Sequence, residues 1–411
     1  MVLRRPQLAF VSLFILPFAI VIPNRDGTFL FFLATILAVM SCASILDKKH
    51  ESPMDLRWLL ILLPWPVWVI VNALFSGTFQ HVLDIGKNLR SLSYLAPLLA
   101  LLLLFSAPKH ASRATIALPI ATCLAGIVAL VQKVYFGQER AFGGTHPILF
   151  ADITLILICL SWVTRSYWNV TAQTCHRLMA LATLFGGIAI ITSGSRGCWL
   201  ALPVMGFLLL HYRLRDNRKQ MAVAMGTMLI LIPMLYFIPQ VQQRVNTGIE
   251  QASNYFNGSD YNSSVAARFT VWELSIYEMI PSSPITGTGY QGFKSKLHTL
   301  AVSGKTHRKF TWISHAHNEI LHVLTEQGIV GLSAFLIMYI GSYRMLIGNA
   351  QKSKDNQRLK LAVRLLFAGF IVYGLTDTMT GNLITHTFFC SMIAWLSLII
   401  DQTKRFQRLN P

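Results

Sequence analysis

Apolar runs of about 20 residues follow one another along most of this sequence, and that constrains its fold more than any other feature. A bilayer hydrocarbon core about 30 Å thick takes roughly 20 residues of helix to cross. The pattern predicts an all-α polytopic membrane protein with about 12 transmembrane helices. They are expected near 7–23, 28–46, 58–76, 89–106, 114–132, 147–164, 178–192, 197–211, 221–239, 317–342, 360–376 and 383–400. Composition agrees: only 13% of the 411 residues are charged, too few to cover a soluble domain of this size, and mean hydropathy is +0.51. Arg4 and Arg5 before the run from Leu8 to Ile22 resemble the start of a signal peptide. No small-x-small cleavage site follows and many further spans do, so this run reads as the first transmembrane helix.

The net charge of +18 does not point to nucleic acid, because the basic residues are scattered over many short loops. Assigned alternately to two sides, the loops at the N-terminal side collect 22 of the 35 Lys and Arg. Of the remainder, only six sit in short loops; the others fall in one long segment, which the positive-inside rule does not weigh reliably. The basic side is therefore expected to be cytoplasmic, with both termini inside. The chain divides into residues 1–239 with helices 1 to 9, an outward (periplasmic) loop or lid at 240–316, and residues 317–411 with helices 10 to 12 and a cytoplasmic tail. The loop has helix-like stretches at Val241–Phe256 and Ser264–Ile280, then a turn-rich Pro281–Gly292. Long structureless loops are uncommon, so a folded, functional lid is expected. The six cysteines include no Cys-x-x-Cys and none lies in that loop, which excludes a disulfide framework.

Three polar clusters fall on the outward side. Ser193-Gly194-Ser195-Arg196-Gly197 combines a tight turn with a guanidinium able to fork onto phosphate oxygens, although an arginine at a helix end also snorkels. Arg268 stands among apolar and aromatic neighbours from Val265 to Trp272; a headgroup-level arginine on an amphipathic helix would look the same. Ser314-His315-Ala316-His317-Asn318-Glu319 lies where the loop re-enters the membrane. Asn318, His322 and Glu326 continue down one helical face at intervals of four. An acid as deep as Glu326 is expected to face the interior and have a partner. His315, His317 and His322 suggest a metal cluster, but His-x-His suits strands better than helices and no carboxylate pair accompanies it. No metal or other cofactor is expected. A histidine with its ordinary pKa near 6.5 is a suitable general base. Two fixed cations and one base on one face suit transfer from a phosphate-linked donor. Lys87, Arg90, Lys133 and Arg140 could guide an anionic headgroup or simply anchor helix ends.

These residues resemble a known family. His317-Asn318, nine residues, Gly328, two residues and Gly331 is similar to the signature of the bacterial O-antigen ligases, within the wider O-antigen ligase/polymerase superfamily. Glu326-Gln327-Gly328-Ile329-Val330-Gly331 resembles the superfamily's Glu-x-Gly-aliphatic-aliphatic-Gly run. Arg268 to Trp272 with Pro284-Ile285-Thr286-Gly287-Thr288-Gly289 is similar to its Arg…Trp…Pro-x-x-Gly-x-Gly pattern. Ser195-Arg196-Gly197 matches Ser-Arg-Gly, and Arg140-x-x-Gly143 before His146-Pro147 loosely matches a shorter motif. The resemblance implies a GT-C-like, inverting, metal-independent glycosyltransferase of the bacterial inner membrane. Its donor would be an undecaprenyl-pyrophosphate glycan and its acceptor a hydroxyl of the lipid A–core oligosaccharide. By the same implication His317, Arg196 and Arg268 are catalytic, with His317 the base and the arginines on the pyrophosphate. Asn318, Arg90, Arg140 and Glu326 are the expected substrate-binding residues. An O-antigen polymerase, with the same donor and a growing glycan as acceptor, is the alternative. A lipid or solute transporter ranks lower, because few charges lie in mid-span and no internal repeat is visible.

Overall fold

A computed structural model describes residues 5–19, 21–22, 28–42, 55–83, 89–106, 111–237, 239–259, 263–351 and 356–409. Among these residues all regular structure is helical. In the N-terminal part the helices are α1 (Arg5–Ile15), α2 (Thr28–Cys42), α3 (Arg57–Phe75), α4 (Ala96–Ser106), α5 (Ala111–Tyr135), α6 (Pro147–Tyr167), α7 (Ala172–Ser193), α8 (Arg196–Leu214) and α9 (Arg218–Met234). The hydrophilic segment contributes α10 (Pro239–Phe256), α11 (Ser264–Leu274) and α12 (Gly292–Val302). The chain ends with α13 (Glu319–Ala350), α14 (Asn356–Gly374) and α15 (Leu383–Leu409).

The protein is an all-α, polytopic membrane protein. Among the described residues, seven helices are both long and apolar enough to cross a bilayer: α3, α5, α6, α7, α8, α13 and the 383–404 part of α15. Phe32–Ser41 and Leu92–Ser106 are shorter apolar helical stretches. Burial separates the inside of the bundle from its lipid-facing surface. The apolar part of α15 is wholly enclosed, and Trp395 and Phe389 on it are among the largest fully buried side chains. The Trp395 indole donates to the Ala111 carbonyl (2.7 Å), tying α15 to the start of α5. Phe389 stacks on Tyr339 of α13 and meets Phe367 and Phe370 of α14 edge-on or tilted, so aromatic packing joins the last three helices. On α3, by contrast, Leu60, Val67, Leu74 and Phe75 point outward. Exposed apolar groups along a spanning helix are what contact with lipid tails requires.

The hydrophilic segment is folded. Ala267, Val271 and Leu274 of α11 bury against Phe293, Leu297 and Leu300 of α12 and against Phe310, Ile313 and Ala316. These residues form a small core separate from that of the bundle.

One feature of α13 was not expected. The helix is interrupted at Gly328, whose φ of 63° and ψ of −168° belong to a region open essentially to glycine alone. A break leaves carbonyls and amides without helical partners, which costs several kcal/mol per group inside a membrane. Here the loop 284–289 supplies them. Thr288 and Gly289 donate to the carbonyls of Thr325 and Glu326 (2.8 and 2.9 Å), while Ile329 and Val330 donate to Pro284 and Ile285 (2.9 and 3.4 Å). From the opposite side, Asn72 of α3 reaches the Glu326 carbonyl (3.2 Å) and the Gln327 amide oxygen (2.9 Å). Trp68 reaches the Gln327 carbonyl (3.1 Å). A side chain at Gly328 would overlap the Ile285 carbonyl, and one at Gly287 would overlap the backbone of Glu326. Substituting Gly328→Ala should therefore destabilise the protein by roughly 1–3 kcal/mol. The expected reading is a lower unfolding midpoint in detergent; an unchanged midpoint would refute the role given to the break.

Candidate active site

The site is best followed from its backbone anchors outward. Asn318 caps α13, its side-chain oxygen accepting from the Leu321 amide (3.1 Å). The residue before it, His317, has a positive φ of 51°, uncommon for a side-chain-bearing residue. That turn directs His317 back towards His315: His315 Nε2 lies 3.2 Å from His317 Nδ1, and the Ser314 hydroxyl meets His315 Nδ1 at 3.1 Å.

Both histidines converge on Asp377, in the turn between α14 and α15. Its Oδ1 lies 3.1 Å from His315 Nε2 and 3.7 Å from His317 Nδ1. The 377–380 turn is itself held by Glu319, the first residue of α13. The Glu319 carboxylate accepts from the amides of Met379 and Thr380 and from the Thr380 hydroxyl. Thr378 donates its amide to Asp377 Oδ1 (2.8 Å). Thus the residue that opens α13 positions the carboxylate facing the histidine just before it.

Arg268 arrives from α11. One turn further along, Trp272 donates its indole N–H to the Ala316 carbonyl (2.7 Å), between the two histidines. Residues four apart share a helical face, so this bond turns the Arg268 face towards the His–Asp cluster. Arg268 is close enough to interact electrostatically with both His317 and Asp377. Its Nε, out of contact with solvent, has no hydrogen-bond partner among the described residues.

The Ser193–Gly197 turn packs on Thr376, the residue preceding Asp377. Gly194 takes a left-handed conformation (φ 60°) between α7 and α8. Gly197 packs so closely on the 376–377 turn that a side chain there would come within 2.9 Å of the Thr376 hydroxyl. Arg140 Nε donates to the Ser193 carbonyl (2.6 Å), and the Arg140 loop is stapled by Gln132, which binds the amides of Phe142 and Gly143 and the Gly143 carbonyl. Arg196 opens α8, and α10 passes over its guanidinium, where a side chain at Gly248 would lie 3.4 Å from Nη1.

The charge states follow from these contacts. Burial pushes the Asp377 carboxyl up, but hydrogen bonds and attraction from His315 and His317 outweigh it and leave the group well below the usual carboxylate range. Burial lowers the His317 pKa from 6.5; Asp377 pulls it up, while His315 and Arg268 lower it further. Burial also lowers Arg268, against the pull of Asp377, from a starting value high enough to leave it charged. At neutral pH the cluster holds a neutral His317 between an anion and a cation.

The sequence-predicted residues divide accordingly. The structure brings His317, Asn318 and Arg268 together and sets the Arg196 and Arg140 turn alongside. Glu326 has its partners, but they are protein groups: its carboxylate accepts from the amides of Gln291 and Phe293 (3.1 and 3.2 Å), capping α12, and lies 3.8 Å from His322. The Arg90 side chain lies outside the described residues; its helix, 89–95, meets Tyr290 through Ser93 (3.3 Å) and Tyr94. Asp377 and Glu319 were missed. No carboxylate pair was expected beside the His-x-His residues; the structure places a single carboxylate there, Asp377, from 60 residues downstream. Its signal was topological, an acid in a short loop on the same expected side as His317.

Comparison with known proteins bears on this constellation. Residues 180–336 match the family described as O-antigen ligase, a span that contains Arg196, Arg268, His317 and the Gly328 break. The chain is also 19% identical over 375 residues to an O-antigen ligase of Escherichia coli, covering 88% of this chain and 86% of that protein. Over residues 180–336, which are less than half of the chain, the protein is similar to the O-antigen ligase family. An uncharacterized protein of Haemophilus influenzae is 29% identical over 251 residues, 58% of this chain; the alignment spans 61% of that relative, less than two thirds of its length.

If Glu319 positions Asp377, replacing it by alanine leaves buried amides unpaired at a cost of about 1–3 kcal/mol. Glu319→Ala is expected to accelerate hydrogen exchange at 377–382 while the interior of α15 stays protected. Unchanged exchange in that turn would show that another group holds it.

Proposed function

We propose that this protein transfers a glycan from undecaprenyl pyrophosphate to a hydroxyl of lipid A–core oligosaccharide, with inversion and without a metal. The observation that carries the reading is the convergence of a neutral histidine, His317, with the carboxylate of Asp377 and the guanidinium of Arg268, beside the turn bearing Arg196. The Asp377 carboxylate would orient His317 through Nδ1–H and leave Nε2 to accept the proton of the acceptor hydroxyl. The acceptor oxygen then attacks the anomeric carbon and displaces the pyrophosphate from its opposite face. The bond from the anomeric carbon to phosphate oxygen breaks, and undecaprenyl pyrophosphate leaves with both electrons. Arg268 and Arg196 take up the charge that develops on the leaving group, and their planar forks suit phosphate oxygens. Arg140 and the helix bearing Arg90 would receive the rest of the headgroup, and Asn318 would fix the turn that presents His317.

In the membrane this reading puts the basic loops and both termini in the cytoplasm. The folded segment 240–316 and the site would then be periplasmic, on the outer face of the inner membrane.

The test is transfer by purified protein supplied with undecaprenyl-pyrophosphate glycan and lipid A–core, without metal or nucleotide. His317→Ala should lose about 10²–10⁴-fold of the rate, the usual contribution of a general base. Arg268→Lys should restore only part of what Arg268→Ala loses, since a point charge does not reproduce a fork. Near-wild-type rates in His317→Ala would overturn the base assignment. Glycan chains that lengthen on the donor, with no transfer to lipid A–core, would make the protein a polymerase. The pH profile gives a separate check. Protonated His317 cannot act as a base, so kcat/KM should rise with pH through a value below 6.5 and be level at neutrality. A midpoint above 6.5 would contradict the charge assignment.

A further inference from the structure

We infer that His315, His317 and Asp377 form an inhibitory binding site for a divalent transition-metal ion of the zinc type, reached from solvent at the mouth of the site. The donor atoms His315 Nε2, His317 Nδ1 and Asp377 Oδ1 all lie within 4.8 Å of one another. Their separations are 3.1, 3.2 and 3.7 Å. Donors at ~2.0–2.1 Å from a tetrahedral zinc stand about 3.3 Å apart along each edge, so one ion fits these three with little movement. Two imidazoles and one carboxylate, with the fourth position open to water, is a donor set that zinc accepts. The side chains of His315 and His317 are 30% and 19% exposed, which gives an ion access, whereas Asp377 at 9% is held in place by the turn behind it. The outer contacts are present too: with its Nε2 on the metal, His315 Nδ1–H can donate to the Ser314 hydroxyl at 3.1 Å. Arg268 opposes the ion's charge, so binding is weaker than at a structural zinc site.

Inhibition follows from the tautomer. A neutral imidazole that gives its Nδ1 lone pair to a metal carries its single proton on Nε2. That is the atom required to accept the proton from the acceptor hydroxyl. The ion would also take Asp377 away from orienting His317. The inhibitory part rests on the function proposed above; the binding part does not.

Cobalt(II) titrated into detergent-solubilised full-length protein, purified without a histidine tag, reads binding directly through the visible absorption of the four-coordinate ion. One equivalent should bind and be displaced by zinc. His315→Gln and Asp377→Asn, checked for an unchanged elution profile and unfolding midpoint, should each weaken it by more than about tenfold, the loss that even outer-shell changes can cause. No binding to the unsubstituted protein, or binding undiminished in both variants, overturns the site. In the transfer assay, zinc should stop turnover and a chelator should restore it. Transfer that continues with the cobalt-detected site filled by zinc overturns inhibition and leaves the site standing. Absence of transfer under every condition without metal counts against the proposed function, while the cobalt titration still decides the site.

Discussion

The structure depends on a broken membrane helix whose unpaired backbone groups are satisfied by a loop from outside the bundle. Hydrocarbon tolerates no unpaired amide or carbonyl, so the interruption of α13 at Gly328 exists only because residues 284–289 dock into it and α3 closes the other side. The docked loop leads directly into α12, whose first amides are capped by Glu326. The hydrophilic segment is thereby fixed to the bundle at the depth where α13 breaks, and α11 packs against α12 in the segment's own core. Arg268 is carried on α11. The glycines of the break thus govern the placement of a cation they never touch.

A second constraint is electrostatic. Asp377 is a buried carboxylate, and a buried charge persists only when paired. Two histidines and a nearby arginine meet that need, and Glu319 holds the turn so that the carboxylate cannot swing away. The same pairing keeps His317 oriented while burial keeps it neutral. An oriented, unprotonated imidazole beside the Arg268 guanidinium, whose Nε has no hydrogen-bond partner among the described residues, suits the proposed reaction, in which an anion departs and a hydroxyl is deprotonated. Arg268 Nε, buried and unpartnered among the described residues, is the clearest sign that the protein alone does not complete the site.

Much of this was legible in the amino-acid sequence because membrane spans and glycine-rich motifs leave strong local patterns. Apolar runs located the helices, although only seven of those described are long and apolar enough by themselves to be counted as spans. His317, Arg268 and Arg196 stood out as charged or polar residues where the surrounding composition did not call for them. What escaped was pairing at a distance. Asp377 lies 60 residues from His317 and has no motif around it; only the fold of α13 against α14 and α15 brings the two together. Glu326 was legible as a buried acid needing a partner, but not as the cap of a helix beginning at Gly292. Single residues announce their polarity, whereas the backbone groups they serve are set by docking that no local spacing records.

A structure with undecaprenyl pyrophosphate bound would decide whether these arginines hold the leaving group. The two phosphates should lie between the Arg196 and Arg268 guanidinium groups, with His317 Nε2 facing the space where the sugar and acceptor meet. Phosphates bound elsewhere, with Arg268 Nε still without a partner, would contradict it.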